Sequence, residues 1–381
     1  MVERVKSYSL SRSVETPNYT GTKYVHYGDI HTKVADKITN ETNLPNIVPG
    51  DYETLRKGDI ILADASEDYQ GIATPSIIID EPISNIVAGL HTIALRPTEI
   101  YPLFLYNLFK STTFRKYGYK TGTGMKVFGI SVINLMKFKG YIPSYKEQEK
   151  IASILFRIDN AIVLHQRKFD ILKDLKEAYL QQIFPEKNHS VPKLRFSNFS
   201  NDWKKRVIGD IFIERKQRGA EGELISVTIN SGVVKAHELN RKDNSSSNKS
   251  NYKRVEVGDI AYNSMRMWQG ASGFSKYSGI LSPAYTVITP KNDVHSLFFS
   301  YYFKNINMIQ NFQKYSQGLT SDTWNLKFPS LKEININVPD YSEQKNIANF
   351  IVKIDQILLQ YENKLSRLEK IKTSLLSKMF I

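Results

Sequence analysis

The sequence predicts an α+β protein with two mixed α/β domains, each followed by a long helix, and with the two helices packing as an antiparallel coiled coil. Three observations support this fold class. Two stretches of the chain repeat at a constant offset. Their apolar residues have the spacing of a helix. The rest of the chain is rich in β-branched and aromatic runs broken by turn residues. The 381 residues are enough for two or three domains.

The repeat joins residues 142–184 to residues 338–380 without a gap, at an offset of 196. The same residue type occurs at 13 of the 43 aligned positions, among them Phe184 and Phe380. Chance does not produce such an ungapped match, so the chain contains an internal duplication. Weaker similarity, such as Gly58-Asp59-Ile60 against Gly258-Asp259-Ile260, extends the duplication to the other parts of the chain.

Both repeated segments begin like helices. Ser144 with Glu147, and Asp340 with Glu343, match a capping box, in which the first side chain accepts an unpaired amide and the glutamate reaches back. After these capping residues, no Gly or Pro follows in the first copy until Pro185, and none follows in the second. Each helix would be about 51 Å long at 1.5 Å per residue.

Apolar residues recur at steps of four and three along both helices, which is the spacing of a heptad seam over more than four heptads. An isolated helix would leave this stripe in water, so the two copies are expected to pack on each other. His165 lies in the seam and is expected to be a packed core residue. The predicted helix–helix packing residues are Ile151, Leu155, Ile158, Ile162, Phe169, Leu172, Ile347, Ile351, Ile354, Leu358, Leu365 and Leu368.

The domain organisation follows from where the helical repeat gives way to strand-like and loop-like sequence. A stretch with several Pro, Asn and Ser residues after the first helix is typical of a linker. The predicted parts are a first globular domain at 1–141, a long spacer helix at 142–184, a linker at 185–200, a second globular domain at 201–337 and a second spacer helix at 338–381.

Charge points to a polyanionic partner. The chain has 52 Lys and Arg against 38 Asp and Glu, a formal charge of +14. The helices account for +3 of it, so the excess lies on the globular domains and linker. A basic balance of this size indicates nucleic acid first, the alternative being a surface that only keeps the protein soluble.

Cysteine is absent, which removes disulfides, thiolate catalysis and sulfur-ligated zinc. The N-terminus has no apolar core of a signal peptide, and the longest apolar run, 101–109, is far shorter than a membrane span. We therefore expect a cytoplasmic protein without a membrane partner.

We identify no catalytic or metal-binding pattern. The sequence contains no phosphate-binding P-loop, no complete dinucleotide-binding turn, no amino-methyltransferase tetrapeptide and no pair of histidines at zinc spacing. The string 339–345 superficially resembles a nuclease metal site, but its carboxylates are too close in sequence, and Ser144 replaces Asp340 in the other copy. We predict no catalytic residue, no metal ligand and no cofactor bound by this chain.

Loop-like stretches that mix cations, amides and aromatic residues are the candidates for DNA contact. Arg suits guanine edges and Asn or Gln suits adenine edges, whereas Lys and Ser suit phosphates. For any single loop a solvated turn is the plainer interpretation, and Trp268 is as consistent with a core position as with a contact. The predicted DNA-binding residues are Lys120, Thr121, Gly122, Thr123, Lys126, Arg241, Lys242, Asn244, Asn251, Lys253, Arg266, Gln269, Lys314, Gln317, Thr320 and Ser321.

Over nearly its whole length the chain resembles the specificity subunit of type I restriction-modification systems, in the order target-recognition domain, long helix, target-recognition domain, long helix. The proline followed by Glu-Gln at the start of each helix is similar to the family pattern. The segments that carry the resemblance are 142–148, 338–344, 192–196 with Trp203, 258–260 and 265–270.

The first domain departs from the pattern, since no segment like 192–203 precedes it. That fits a shorter first copy or a start further upstream, and it suits a cyclic arrangement in which the end of the second helix packs near the first domain.

The resemblance implies a non-catalytic role. Each domain would read one half of a bipartite double-stranded DNA target, and the helices would set the gap and dock two methyltransferase subunits. S-adenosylmethionine, ATP and magnesium would be bound by partner subunits, and motor-nuclease subunits would complete the restricting complex. Two alternatives stay open: a coiled-coil adaptor whose basic domains bind protein, and a self-sufficient enzyme with an unrecognised site.

Overall fold

A computed structural model describes residues 1–69, 71–124, 127–187, 189–239, 245–246 and 248–380. The chain divides into two compact units. Unit 1 contains Met1–Arg167 and Glu362–Ile381, and unit 2 contains Lys168–Tyr361. Both divisions fall inside the long helices, so each unit includes the start of one long helix and the end of the other.

Unit 1 is built mainly on strands that pair across the whole first domain. Its strands are β1 (Val2–Val5), β2 (Glu15–Thr16), β3 (Thr22–Val25), β4 (Lys37–Ile38), β5 (Asn46–Ile47), β6 (Ile60–Ala63), β7 (Ala65–Ser66), β8 (Pro75–Ile78), β9 (Asn85–Ala88), β10 (Thr92–Pro97) and β11 (Phe128–Gly129). Its helices are α1 (Tyr27–His31), α2 (Pro102–Lys110), α3 (Thr112–Thr121) and α4 (Val132–Met136), and the long helix α5 (Tyr145–Gln182) starts here.

The main sheet of unit 1 has the strand order β1-β10-β6-β8-β4, antiparallel except for the parallel pair β4 and β8. A second sheet has the order β2-β5-β3-β9, and β11 pairs with β7. Side chains alternate between the faces of a strand, so Ile60 and Leu62 enter one core and Ile61 and Ala63 the other. The main sheet is therefore buried on both faces.

Unit 2 repeats this plan. Its strands are β12 (Lys204–Val207), β13 (Phe212–Glu214), β14 (Ile225–Thr228), β15 (Gly232–Lys235), β16 (Lys253–Val255), β17 (Ile260–Asn263), β18 (Ser272–Phe274), β19 (Gly279–Leu281), β20 (Tyr285–Pro290) and β21 (Asn335–Val338). Its helices are α6 (Ile208–Ile211), α7 (Ser296–Tyr302), α8 (Ile306–Tyr315) and α9 (Phe328–Leu331), and the long helix α10 (Tyr341–Lys378) starts here.

The sheet β13-β20-β17-β18 of unit 2 has the same order and chain positions as β1-β10-β6-β8 of unit 1. Helices α7 and α8 follow it as α2 and α3 follow the first sheet. The duplication therefore includes the globular domains, although only the helices reveal it clearly in the sequence. Unit 2 further contains the pairs β14-β15, β16-β19 and β12-β21.

The repeated Gly-Asp-Ile sequence is a structural turn in both units. Gly58 and Gly258 adopt φ of 87° and 98°, a left-handed conformation that favours glycine. Asp59 is buried and accepts hydrogen bonds of 2.9 and 2.7 Å from the guanidinium of Arg96. Asp259 is held in the same way by Arg215, at 3.0 and 2.6 Å.

Helices α5 and α10 each span 38 residues, and the predicted stripe is their covered face. Knobs-into-holes packing along the whole seam stays a prediction. The buried members of the stripe are Ile151, Leu155, Ile347, Ile351 and Leu365. The half-buried members are Ile158, Ile162, Phe169, Leu172, Ile354, Leu358 and Leu368.

A buried glutamine fixes the start of each long helix to its domain. The amide oxygen of Gln148 accepts a hydrogen bond of 2.8 Å from the backbone N–H of Tyr101, and its amide nitrogen donates to the carbonyl of Pro143. Gln344 makes the same pair of bonds with the N–H of His295 and the carbonyl of Pro339.

The far ends of the helices are held by aromatic packing. In unit 1 the ring of Phe380 lies 5.0 Å from that of Phe104. In unit 2 the ring of Phe184 lies 5.6 Å from Phe298 and stacks on Tyr302 at 4.9 Å. Each domain core is thus completed by a phenylalanine just after the end of one long helix as well as by the first turns of the other.

An ion pair also links the two helices inside each unit. In unit 1 Asp159 of α5 binds Lys372 of α10 at 2.6 Å and Lys37 of the domain at 2.5 Å. In unit 2 Asp355 of α10 binds Lys176 of α5 at 2.5 Å. Burial raises the pKa of Asp159, but hydrogen bonds from both lysines outweigh burial and hold this pKa below its ordinary value.

We expect Asp159→Asn to destabilise the protein more than its repeat counterpart Asp355→Asn. Asp159 is nearly buried and bridges two lysines, so losing its charge should cost on the order of 2 kcal/mol. Asp355 binds one lysine and keeps 37% side-chain exposure, so its loss should cost well under about 1 kcal/mol. Urea unfolding of both variants measures the difference, and equal losses would contradict the bridging role.

The same residue should give stability a pH dependence in acid. Since the pKa of Asp159 is lowered on folding, its contribution is complete above the ordinary carboxyl pKa and is lost as pH falls through the folded value. Urea midpoints measured between neutral pH and about pH 3 should therefore converge for wild type and Asp159→Asn. A gap that stays constant at the lowest pH would show that the carboxylate charge is not responsible.

Candidate nucleic-acid interface

Each unit carries a loop that is closed by the same backbone pairing. In unit 1 Thr123 and Gly129 exchange two N–H···O bonds, of 3.0 and 2.8 Å. In unit 2 Gln317 and Asn325 do the same, at 3.0 and 2.8 Å. Both loops begin just after a helix, since α3 ends at Thr121 and α8 at Tyr315. We call the described parts of these segments loop 1 (123–124 and 127–129) and loop 2 (317–325); residues 125–126 lie outside the described residues.

A glycine makes the first bend of each loop. Gly124 and Gly318 have φ of 137° and 140°, in the region that favours glycine. A Cβ on Gly124 would lie 1.9 Å from the carbonyl oxygen of Val127, and one on Gly318 would lie 2.6 Å from that of Thr323. The sequence alignment pairs Gly122 with Gly318, but Gly122 has φ of −64° and caps α3. The structural counterpart of Gly318 is Gly124, because loop 2 is two residues longer than loop 1.

An aromatic pair supports the closing end of each loop. In unit 1 the rings of Tyr69 and Phe128 lie 3.8 Å apart. In unit 2 Trp268 and Trp324 meet at 5.1 Å, edge to face. The indole N–H of Trp268 donates to the carbonyl of Met265. Trp268 is thus half-buried in the support of loop 2.

Loop 2 lies beside the stretch that precedes it in the second domain. The N–H of Leu326 donates to the carbonyl of Ser264 at 2.8 Å, and the tryptophan pair joins the same two segments. Arg266, with an exposed side chain, and the half-buried Gln269 therefore share a surface with loop 2. Ile130 and Asp64 make the equivalent backbone bond in unit 1, at 2.9 Å.

Three cations of unit 2 are close enough to affect one another. Burial is the largest cause that lowers the pKa of Lys253, and the charges of Arg218 and Lys327 lower it further. Glu214, whose carboxylate lies 3.7 Å from the Lys253 ammonium, opposes them without reversing the direction. Lys327 lies two residues after loop 2, so it links the Lys253 region to that loop. A locally unbalanced positive charge of this kind favours an anion.

In unit 1, cations lie on α3, the helix that precedes loop 1. Lys116 and Lys120 are exposed on α3, next to Tyr119. The guanidinium of Arg115 lies 5.7 Å from the centre of the Tyr119 ring and donates to the carbonyl of Ile72. The surface at loop 1 is therefore basic and aromatic.

The structure brings the predicted contact residues of the second half together and places those of the first half on loop 1 and the end of α3. Their contact with DNA stays a prediction. The exposed ones are Lys120, Thr123, Asn251, Arg266, Lys314, Gln317, Thr320 and Ser321, and the half-buried ones are Thr121, Gly122, Lys253 and Gln269. Lys126, Arg241, Lys242 and Asn244 lie outside the described residues.

Several predicted contacts already have intramolecular partners. The hydroxyl of Thr121 donates to the carbonyl of Tyr117 inside α3. The side chain of Asn251 accepts a hydrogen bond of 2.7 Å from Arg218. The amide of Gln317 donates to the hydroxyl of Ser330 at 3.3 Å. These side chains shape the surface, whereas the side chains of Arg266 and Lys314 make no such bond to another described residue and are exposed.

Sequence reasoning missed Arg218, Lys327 and the aromatic pairs. A signal for the pairs was present, since Phe128 and Trp324 are separated by the repeat offset of 196. Arg218 and Lys327 carried no local signal, because each lies far along the chain from the stretch it joins.

Among the residues that the structure describes, no group of three or more His, Asp or Glu is arranged to hold a metal ion. Within the same residues, no helix combines the length and the apolar character needed to cross a bilayer.

Comparison with known proteins gives two results. The type I restriction modification DNA specificity domain matches the chain twice, at residues 7–173 and 200–372. The crystal structure of the type I restriction-modification S subunit from M. genitalium is similar in fold, with a TM-score of 0.57 at 16% identity over 100% of this chain and 93% of that one. A chain from a structure on complex assembly and conformational transition of the type I R-M system gives 0.51 at 13% identity, over 93% and 90%.

Replacing the loop glycines should distort each loop separately. We expect Gly318→Ala to loosen the closure of loop 2 and to change the fluorescence of the Trp268–Trp324 pair, because its Cβ meets a backbone oxygen. Gly124→Ala should loosen loop 1 and leave that fluorescence unchanged. Gly118→Ala is the control, since its Cβ enters open space inside α3. Tryptophan emission and limited proteolysis of the three variants measure this, and an unaltered loop 2 in Gly318→Ala would contradict the closure.

Proposed function

The chain belongs to the type I restriction-modification DNA specificity family and is the DNA specificity subunit of such a system, and we propose how it reads DNA. Unit 1 and unit 2 would each read one half of a split DNA sequence. The observation that carries this proposal is the repetition of the loop. Loops 1 and 2 share their backbone closure, their left-handed glycine and their aromatic support, yet differ in length and in exposed side chains. A frame that both units share, with different side chains on it, suits two readers of different sequences.

The exposed side chains divide by the chemistry that they offer. Arg266 can donate two parallel hydrogen bonds to a guanine edge, and the half-buried Gln269 can pair with an adenine edge. Gln317 can do the same once its amide leaves Ser330. Lys314 and Lys327 are suited to phosphates, which fix position without reading sequence. We assign base reading in unit 2 to Arg266, Gln269 and loop 2, and in unit 1 to loop 1.

The long helices are proposed to set the gap between the two half-sites. Each helix begins in one unit and ends in the other, so helix length is the natural measure of spacing. The exposed apolar residues of the helices, such as Val163 and Leu164, are the proposed docking surface for two methyltransferase subunits.

We propose that the chain catalyses no reaction itself. S-adenosylmethionine, ATP and magnesium would be used by partner subunits, which are two methyltransferase subunits and, in a restricting complex, motor-nuclease subunits. Since the substrate is cellular DNA, the proposed place of action is the cytoplasm.

Selection from random duplex DNA tests the proposal directly. The chain purified with its methyltransferase subunit should enrich two short sequence blocks at a fixed separation, and binding should weaken steeply with salt. Arg266→Ala should relax one block only, by about 1–3 kcal/mol at the affected base pair. Gly124→Ala should relax the other block only.

Lys187→Ala serves as the control, because Lys187 is an exposed lysine outside both loops and should leave both blocks intact. A single continuous block, or relaxation of both blocks by Arg266→Ala, would contradict separate reading. Selection of no sequence by a folded complex would favour an adaptor that binds protein.

Lengthening both helices should widen the gap. Seven residues inserted after Lys168 and after Lys364, which are repeat counterparts, preserve the heptad phase. At 1.5 Å per residue the insertion adds about 10 Å, or about three base pairs at 3.4 Å each. The same selection should return both blocks unchanged with the wider separation. An unchanged gap in a folded variant would show that the helices do not set it.

A further inference from the structure

A cavity of about 350 Å³ lies inside unit 2, beside the last strand of its main sheet. Gly273 and Phe274 of β18 line it, together with Gly232 and Val233 of β15. The two backbones approach closely here, since a Cβ on Gly273 would lie 2.8 Å from the backbone nitrogen of Val233. β18 is the outermost strand of the sheet β13-β20-β17-β18, so the cavity lies where this sheet ends.

Three lysines and one aspartate line the cavity. Lys176 of α5 binds Asp355 of α10 at 2.5 Å, so that carboxylate already has a partner. The ammonium of Lys304 donates to the backbone carbonyl of Ile229 at 3.1 Å. Among the described residues, neither Lys304 nor Lys276 forms an ion pair with a carboxylate. Three ammonium groups against one carboxylate give the cavity a net charge of +2.

The pKa of Lys304 reflects this excess of positive charge. Loss of hydration among the surrounding protein atoms lowers this pKa, and the charge of Lys176 lowers it further. Asp355 acts in the opposite direction without reversing the result. Because like charges raise the free energy of both ammonium groups, an anion in the cavity would stabilise both.

The same position in unit 1 is satisfied by the chain itself. Lys110 is the counterpart of Lys304, because each lysine directly precedes the N-cap residue of the next helix, α3 or α8. Lys110 binds Asp36 at 2.6 Å. Asp36 directly precedes β4, which pairs with β8 as the outermost strand of the main sheet. The described part of unit 2 has no strand in the place of β4, so its lysine lacks this carboxylate.

We propose that the cavity of unit 2 binds a small organic phosphate, with the phosphate group held by Lys176, Lys276 and Lys304. A phosphate monoester carries a charge of about −1.5 to −2 at neutral pH, which matches the cavity. A phosphate within a DNA strand carries a single charge and matches it less well. The volume is in the range of small-ligand sites and leaves room for the organic group. The apolar lining available to that group is Leu180, Phe184, Val233, Phe274 and Leu297.

This inference does not depend on how either unit reads DNA, and calorimetric titration of the full chain with phenyl phosphate tests it. We expect one site per chain, because Asp36 occupies the counterpart in unit 1. Lys304→Gln should weaken binding about tenfold or more. Asn230→Asp, which adds a carboxylate at an exposed lining residue, should weaken it comparably. Lys291→Gln is the matched control and should have no effect, since Lys291 is an exposed lysine of unit 2 that donates to the carbonyl of Gly209.

The outcomes separate the possible occupants. No saturable binding of phenyl phosphate overturns the proposal. Equal weakening by Lys304→Gln and Lys291→Gln also overturns it, because that result means diffuse attraction to a basic chain. Inorganic phosphate should compete for the site with lower affinity, and equal affinity would contradict an organic group on the apolar lining. Duplex DNA of arbitrary sequence should leave phenyl phosphate bound, whereas displacement by the duplex would show that the cavity holds a DNA phosphate and would contradict a small-molecule site.

Discussion

The buried side-chain amide at the start of each long helix is the interaction on which the rest of the structure depends. Gln148 and Gln344 each accept from the backbone N–H of the residue just before α2 or α7, and each donates to a proline carbonyl. Both amides are almost fully buried, so leaving either one unpaired would cost the desolvation of a polar group. This bond sets where each helix leaves its domain, and Phe184 and Phe380 then complete the cores from the opposite helix ends.

Such an arrangement separates the frame from the surface that varies. The Gly-Asp turn, the glutamine and the terminal phenylalanine lie in the cores of both units and are the same residue types in both. The loops, by contrast, hold only their glycine and aromatic support in common. Loop side chains can therefore change without disturbing the packing that holds the helices, which is the property that a reader of varied DNA sequences requires.

The sequence alone revealed the fold class, the duplication and the covered stripe of each helix, because ungapped repeats and heptad spacing are local patterns. It misplaced the loop glycine, since an insertion of two residues inside loop 2 shifts the alignment from Gly124 to Gly122. It also assigned Glu343 to a capping box, whereas Arg195, 148 residues away, binds the carboxylate. Partners so distant in sequence are set by the tertiary fold, and the residues of unit 2 that were predicted to contact DNA meet for the same reason.

The most direct test of the account is a map of methyladenine in host DNA when the chain is expressed with its methyltransferase subunit. If unit 1 and unit 2 read separately, methylation will appear at a new motif made of two short blocks with a constant unread gap. Exchanging residues 201–337 for the second domain of another family member should then replace one block and keep the other. An uninterrupted motif, or unchanged methylation despite a folded complex, would contradict the central claim that two duplicated units read two halves of one DNA target.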